Sequence, residues 1–286
     1  MSSPRIKTGI LLAAFGSSSL LGEKALKAFA ERAHLTFPGV PVRWAYTSDR
    51  MRSRLAAAGK KTDSVKKALC RMGFDKYTHV AVQSLHLIPG VEYEALLEET
   101  ESARAEGGPA CITVGSPLLH DAKDVRLAAM ALLKHLPEKR QPEEAVVCVG
   151  HGTWHTGAAS YAALARRLSA IDSRIFIGTL SGEHGIDSIL PAVRESMQRE
   201  SAVKPRVWLL PLLSIIGKHA EEDIAGPQKK SWQSRFQSAG FDCEAVLKGT
   251  TEYEGFAHIW LAHLGQALKG LHETGTAIKT KAQPEQ

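Results

Sequence analysis

The 286-residue chain is poor in aromatic side chains, which make up only 6 % of it, and it has only four cysteines. Its charges are spread along the chain. A nucleic-acid groove needs a clustered basic face with aromatic rings between the charges, so nucleic acid is not an expected partner. The cysteines, Cys70, Cys111, Cys148 and Cys243, form no Cys-x-x-Cys pair. Cys111 and Cys148 sit in apolar runs and read as small buried hydrophobes. A disulfide framework is therefore not expected, and a reducing cytoplasm fits. No apolar stretch reaches the roughly 18 residues that a membrane-spanning helix requires, so no membrane partner is expected. The run Gly9–Phe15, preceded by Arg5 and Lys7, resembles a short signal peptide but lacks a convincing small-residue cleavage site. It reads as the first buried strand.

What the chain does have is apolar material for two cores, 44 % of its residues, and a length that suggests two domains. The net charge of +6 is mild. A positive cleft concentrates anions, which suits a small polyanionic substrate.

Short apolar runs alternate with amphipathic stretches. Strands are expected over 8–15, 40–46, 78–84, 110–114, 145–149, 174–179, 206–211 and 243–247. Helices are expected over 23–35, 63–72 (with Asp63 as cap), 92–106, 121–135, 157–169, 186–198, 221–239 and 252–272. Strand–helix alternation with continuous apolar strands argues for parallel sheets covered on both faces. The two halves read as diverged copies. A strand leading to Phe15-Gly-Ser17 in the first matches a strand leading to His151-Gly-Thr153 in the second. Val80–Gly90 likewise parallels Val207–Gly217, and setting Gly90 on Gly217 puts Glu92 at the position of His219. The expected fold is α/β: two similar Rossmann-like lobes, each a parallel sheet flanked by helices, with a cleft between them. The expected division is an N-terminal lobe (1–136), a charged, proline-containing linker (137–144), a C-terminal lobe (145–250), a C-terminal helix (251–273) and a flexible polar tail (274–286).

Ligands of open parallel sheets bind beyond the carboxyl ends of the strands, and four segments put chemistry there. His151 lies between Gly150 and Gly152 at a strand tip, where neutral imidazole can ligate a metal or accept a proton. The plain alternative is a loop histidine bonded to the backbone. His155, four residues on, is a weaker metal candidate and reads more readily as a surface residue. His219 sits near a helix start, followed by Glu221, Glu222 and Asp223, whose charges the helix dipole alone explains. Glu92 and Glu94 follow the turn at Gly90, with His86 in the same loop. Glu183 and His184 follow another strand end among small residues, and metal sites commonly combine imidazole with carboxylate.

Taken together, these segments resemble the anaerobic sirohydrochlorin cobaltochelatases (the CbiK family) of the class II chelatase and ferrochelatase superfamily. The resemblance spans nearly the whole chain. It rests on Leu12–Ser18, Gln83–His86 through Glu92-Tyr-Glu94, Gly150-His-Gly-Thr153, Gly178-Thr179, and Leu210–Leu213 through Gly217-Lys-His-Ala220. It implies that His151 and His219 bind the metal and that Glu92 lies near the substrate. Relatives typically carry a glutamate two residues after the Gly-Thr pair of the sixth strand, where this chain has Ser181. Glu183, from a shifted turn, or His184 is then the candidate third ligand.

The activity so implied is insertion of Co2+, as substrate metal, into sirohydrochlorin or precorrin-2, with no permanently bound cofactor. Catalysis would fall to His151, His219 and Glu92. Fe2+ is the alternative metal, on the way to siroheme. A non-catalytic tetrapyrrole or haem carrier and a two-lobed binding protein for a small anion are the competing classes. The sequence leaves homo-oligomerisation open.

Overall fold

A computed structural model describes residues 6–197 and 205–281. Its elements are β1 (Thr8–Ala14), α1 (Leu20–Thr36), β2 (Val42–Tyr46), α2 (Asp49–Ala57), α3 (Val65–Phe74), β3 (His79–Ser84), α4 (Val91–Ala105), β4 (Cys111–Gly115), α5 (Ala122–Lys134), β5 (Ala145–Gly150), α6 (Ala159–Ser169), β6 (Ile175–Thr179), α7 (Ile186–Met197), β7 (Arg206–Leu212), α8 (Trp232–Ser238), β8 (Asp242–Ala245) and α9 (Glu254–Lys281). Gln198, the expected end of α7, falls outside the described residues, as do residues 282–286 of the expected tail. The helix expected to end at 273 continues to Lys281.

The strands form two four-stranded sheets of the same topology, β2-β1-β3-β4 and β6-β5-β7-β8, and every pairing is parallel. The central strands are buried almost throughout, as continuous apolar runs require when helices cover both faces. The parallel between the halves extends to the backbone: Gly16 (φ +96°) and Gly152 (φ +78°) both turn left-handed just past their leading strands.

The chain divides into two compact units. One holds the residues up to Ser18, 28–117 and those from His258 on; the other holds Ser19–Lys27 and Leu118–Ala257. In the first, Leu11, Val80, Val82 and Ile112 pack against Leu69 and Met72 of α3 and Leu96 of α4. The later part of α9 returns to this unit. Trp260 stands edge-on to Phe29 at 6.1 Å, and Thr113 donates to the Ala267 carbonyl at 2.8 Å. In the second unit, Val147, Val149, Val207 and Leu209 pack against Ile189, Val193, Trp232 and Phe236.

Four expectations need correction. The boundary falls at Pro117/Leu118, not at 137–144. The charges of that supposed linker are used inside the second unit: Arg140 pairs with Asp172 at 2.7 Å, and Glu144 accepts from the Trp208 indole at 2.6 Å. The helix α2 was not foreseen. Its one buried residue is Leu55, and Ser48 caps it. The cap of α3 is Ser64, whose hydroxyl accepts from Lys67 N; Asp63 pairs with Lys67 and Arg71 instead. The long helix expected over 221–239 is two pieces, a π-helical turn (His219–Ile224) and α8. Gly226-Pro227 separates them. Pro227 has no N–H to continue a helix, and Ser231 restarts one by accepting from Ser234 N at 3.1 Å.

Candidate metal centre

The ends of β5, β6 and β7 lie level, with Gly150 in register with Thr179 on one side and Leu212 on the other. His151 leaves the sheet at that point. Its carbonyl is held twice by Ser181, through the backbone N–H and through the hydroxyl, each at 3.0 Å. Gly152 makes this closure fit. A Cβ there would lie 1.9 Å from the Ser181 carbonyl oxygen, and the positive φ disfavours any other residue.

His219 comes from the loop after β7 and opens the π-helical turn, closed by Ala225 N donating to Ala220 O at 3.0 Å. π-turns are frequent at functional sites. Here the turn brings the Asp223 carboxylate to His219 Nδ1, at 2.7 Å. A carboxylate can only accept, so Nδ1 carries a proton, and in the neutral imidazole Nε2 holds the lone pair. His151 is set the same way, with Nδ1 donating to its neighbour's carbonyl, Gly152 O, at 3.3 Å. Both rings are exposed. A carboxylate behind a ligating imidazole fixes its tautomer and strengthens it as a ligand.

The two rings meet edge to face, with centroids 5.1 Å apart and an interplanar angle of 81°. A metal–imidazole bond of about 2.1 Å puts each centroid about 3.2 Å from the ion, and N–metal–N angles between square and tetrahedral then separate the centroids by roughly 4.5–5.2 Å. The observed separation falls within that range. Among the described residues, no group of three or more His, Cys, Asp or Glu side chains is poised to hold a metal. Such a set suits an ion that must be passed on, because most coordination positions stay open for the incoming ligand.

A family model described as cobalt chelatase (CbiK) matches residues 8–269. The chain belongs to the cobalt chelatase (CbiK) family. It is 53 % identical over 270 residues to the sirohydrochlorin cobaltochelatase CbiKC of Nitratidesulfovibrio vulgaris (strain Hildenborough), covering 94 % of each chain. It is 31 % identical to the sirohydrochlorin cobaltochelatase of Salmonella typhimurium (strain LT2), covering 92 % of this chain and 97 % of the relative. In fold it is similar to SirB from Bacillus subtilis, solved with Fe3+, with a TM-score of 0.63 at 14 % identity, covering 92 % of this chain and 96 % of that one. It is also similar to CbiX, described as the terminal enzyme of siroheme biosynthesis in denitrifying bacteria, with a TM-score of 0.56 at 15 % identity, covering 91 % of this chain and 99 % of that one. At those identities the two solved structures speak for the fold alone.

Glu183 and His184 of this CbiK-family chain lie in the loop after β6, in the same unit as the pair. Glu183 is exposed, and the His184 carbonyl accepts from Thr179 N at 2.8 Å. His155 shares no helical face with His151. Its backbone is extended, and its Nδ1 accepts from Gly157 N at 3.1 Å, capping a short 3-10 turn. Glu92 is exposed in the first turn of α4, in the first unit. His86, also in the first unit, is largely buried, with one nitrogen 3.1 Å from the Thr47 hydroxyl and the other 2.9 Å from the Ser84 hydroxyl. Burial lowers its pKa to about 4, against a smaller upward pull from Glu92. It is a neutral structural group near pH 7. The residue that sequence reasoning passed over is Asp223. Its spacing of four from His219 was the available signal, but the helix dipole already accounted for an acidic residue there.

Proposed function

We propose that this cobalt chelatase inserts Co2+ into sirohydrochlorin, with His151 and His219 holding the ion as it passes to the macrocycle. The observation that carries the reading is the facing pair itself. It combines a 5.1 Å ring separation with Nδ1 of each ring committed to an oxygen, which leaves both Nε2 atoms to the metal.

Insertion exchanges two pyrrole protons for one divalent cation, so bases must take up two protons and no electron moves. The chemistry calls for no resident cofactor. Glu92 is the carboxylate that the family resemblance assigns to the substrate, and its role here is proton acceptance. General-base contributions are about 10²–10⁴-fold. Imidazole ligates several first-row ions, so preference between Co2+ and Fe2+ rests on geometry and availability. All four cysteines are free, which fits a reducing cytoplasm. Among the described residues no helix is long and apolar enough to cross a membrane.

The test is anaerobic mixing with sirohydrochlorin and either Co2+ or Fe2+, following loss of the free macrocycle's absorbance. Turnover above the protein-free rate, faster with Co2+ than with Fe2+, is expected. Glu92→Gln should lower kcat by about 10²-fold. Pigment binding without turnover contradicts the reading in favour of a carrier.

A further inference from the structure

Among the large apolar side chains that the second unit exposes, Trp154 lies close in sequence to His151, and Leu20 and Leu21 directly follow Ser19. Trp154 is 79 % exposed, Leu20 84 % and Leu21 54 %. Single exposed hydrophobes need no explanation, but apolar groups gathered around a reaction site mark a ligand surface. These three stand on segments tied to the two metal-binding loops. Trp154 follows His151 by three residues, and its segment is pinned. The Thr153 carbonyl closes on Gly182, where a Cβ would lie 2.8 Å away, and the Thr153 hydroxyl accepts from His155 N at 3.1 Å. The indole is thus held out from a fixed turn. Leu20 and Leu21 begin α1. The hydroxyl of the preceding Ser19 donates to the Ile216 carbonyl at 3.0 Å, three residues before His219.

The charge around His219 explains why an apolar hold is needed. Glu221, Glu222 and Asp223 follow it, and Lys218 pairs with Glu222 at 3.3 Å. Such a rim attracts a divalent cation and repels the peripheral carboxylates of a polyanionic tetrapyrrole. Binding the macrocycle beside these acids must therefore draw on its flat apolar face, and an indole is the side chain best suited to that face.

We propose that Trp154, with Leu20 and Leu21, forms the platform on which the face of the tetrapyrrole rests while its nitrogens take the metal from His151 and His219. The assignment deepens the chelatase reading and rests on it.

The experiment measures binding of metal-free sirohydrochlorin, KM and kcat for insertion, and Co2+ affinity without pigment. It compares wild type, Trp154→Ala, Trp154→Phe and the double variant Leu20→Ser/Leu21→Ser. Trp154→Ala should weaken pigment binding and raise the macrocycle KM roughly tenfold, with kcat and Co2+ affinity near wild type. Trp154→Phe should restore binding to within about threefold, and the double leucine variant should weaken it by about threefold. Because these side chains are exposed, the variants should melt with the wild type. Wild-type pigment binding in Trp154→Ala overturns the platform while leaving the chelatase reading intact. A wild-type protein that neither binds pigment nor inserts metal overturns both.

Discussion

The two units share a strand order and a left-handed glycine after the leading strand, yet they carry different chemistry at their strand ends. The positions corresponding to His151 and His219 in the first unit are Phe15 and Glu92. That unit does have a histidine close by, His86, but draws it inward. Both its nitrogens meet hydroxyls, and desolvation brings its pKa to about 4. The second unit leaves its two imidazoles exposed. Each gives its Nδ1 to an oxygen. The presence of imidazole at a strand tip therefore does not mark a metal site. Under the proposed reading, what marks it is an imidazole bonded through Nδ1 and facing another bonded in the same way. The two sheets have the same strand order, and under the proposed reading side-chain satisfaction separates the structural histidine from the ligating pair.

Several substitutions sharpen or break that contrast. Asp223→Asn removes the charged acceptor behind His219 while keeping its size, and Co2+ affinity should fall about 10–100-fold. An unchanged affinity in equilibrium titration means that the carboxylate does not tune the ligand. His86→Gln should leave Co2+ affinity near wild type and alter acid stability instead. The folded-state pKa of His86 lies below the ordinary 6.5, so the unfolded chain binds the proton that the folded chain refuses. The stability tied to neutral His86 is complete above about pH 6.5 and drains as pH falls toward 4, about 2 kcal/mol between pH 7 and pH 5. Urea midpoints at those two pH values should fall more steeply for wild type than for His86→Gln; parallel falls contradict the assignment. The smallest effect is expected for Ser181→Ala. It deletes the hydroxyl bond to the His151 carbonyl but keeps the backbone one to the same oxygen, so stability should drop by less than about 1 kcal/mol. Thermal melts read this directly, and insertion should stay within about threefold of wild type.

Much of the fold was legible because burial on both faces leaves a plain record. The run Ala145–Val149 reads as a strand and is one. The same holds for the central strand that starts at Thr8, so the signal-peptide reading of that run gives way. The record thins where packing rather than pattern decides. In α2, charged residues surround the buried Leu55 and leave too little periodicity to see. Residues 137–144 have the composition of a linker, but Arg140 and Glu144 are spent on partners that composition does not show. The site followed the same rule. His151 and His219 were visible through their glycines and strand-end positions. Asp223 was not, because the helix dipole already accounted for an acidic residue there, although a spacing of four places side chains together. Glu183 and His184 follow a strand end as His151 does; in their loop the His184 carbonyl accepts from Thr179 N, and Ser181 donates its N–H and hydroxyl to the His151 carbonyl.

The central claim, one ion shared by His151 and His219, is tested most directly by anaerobic titration of the pigment-free protein with Co2+, read by its visible absorption. Wild type, His151→Ala and His219→Ala are compared. One Co2+ per chain is expected in the wild type and, in each variant alone, a loss of affinity of more than about 100-fold, beyond what removing the carboxylate behind the ligand costs. Wild-type affinity in either variant contradicts the claim.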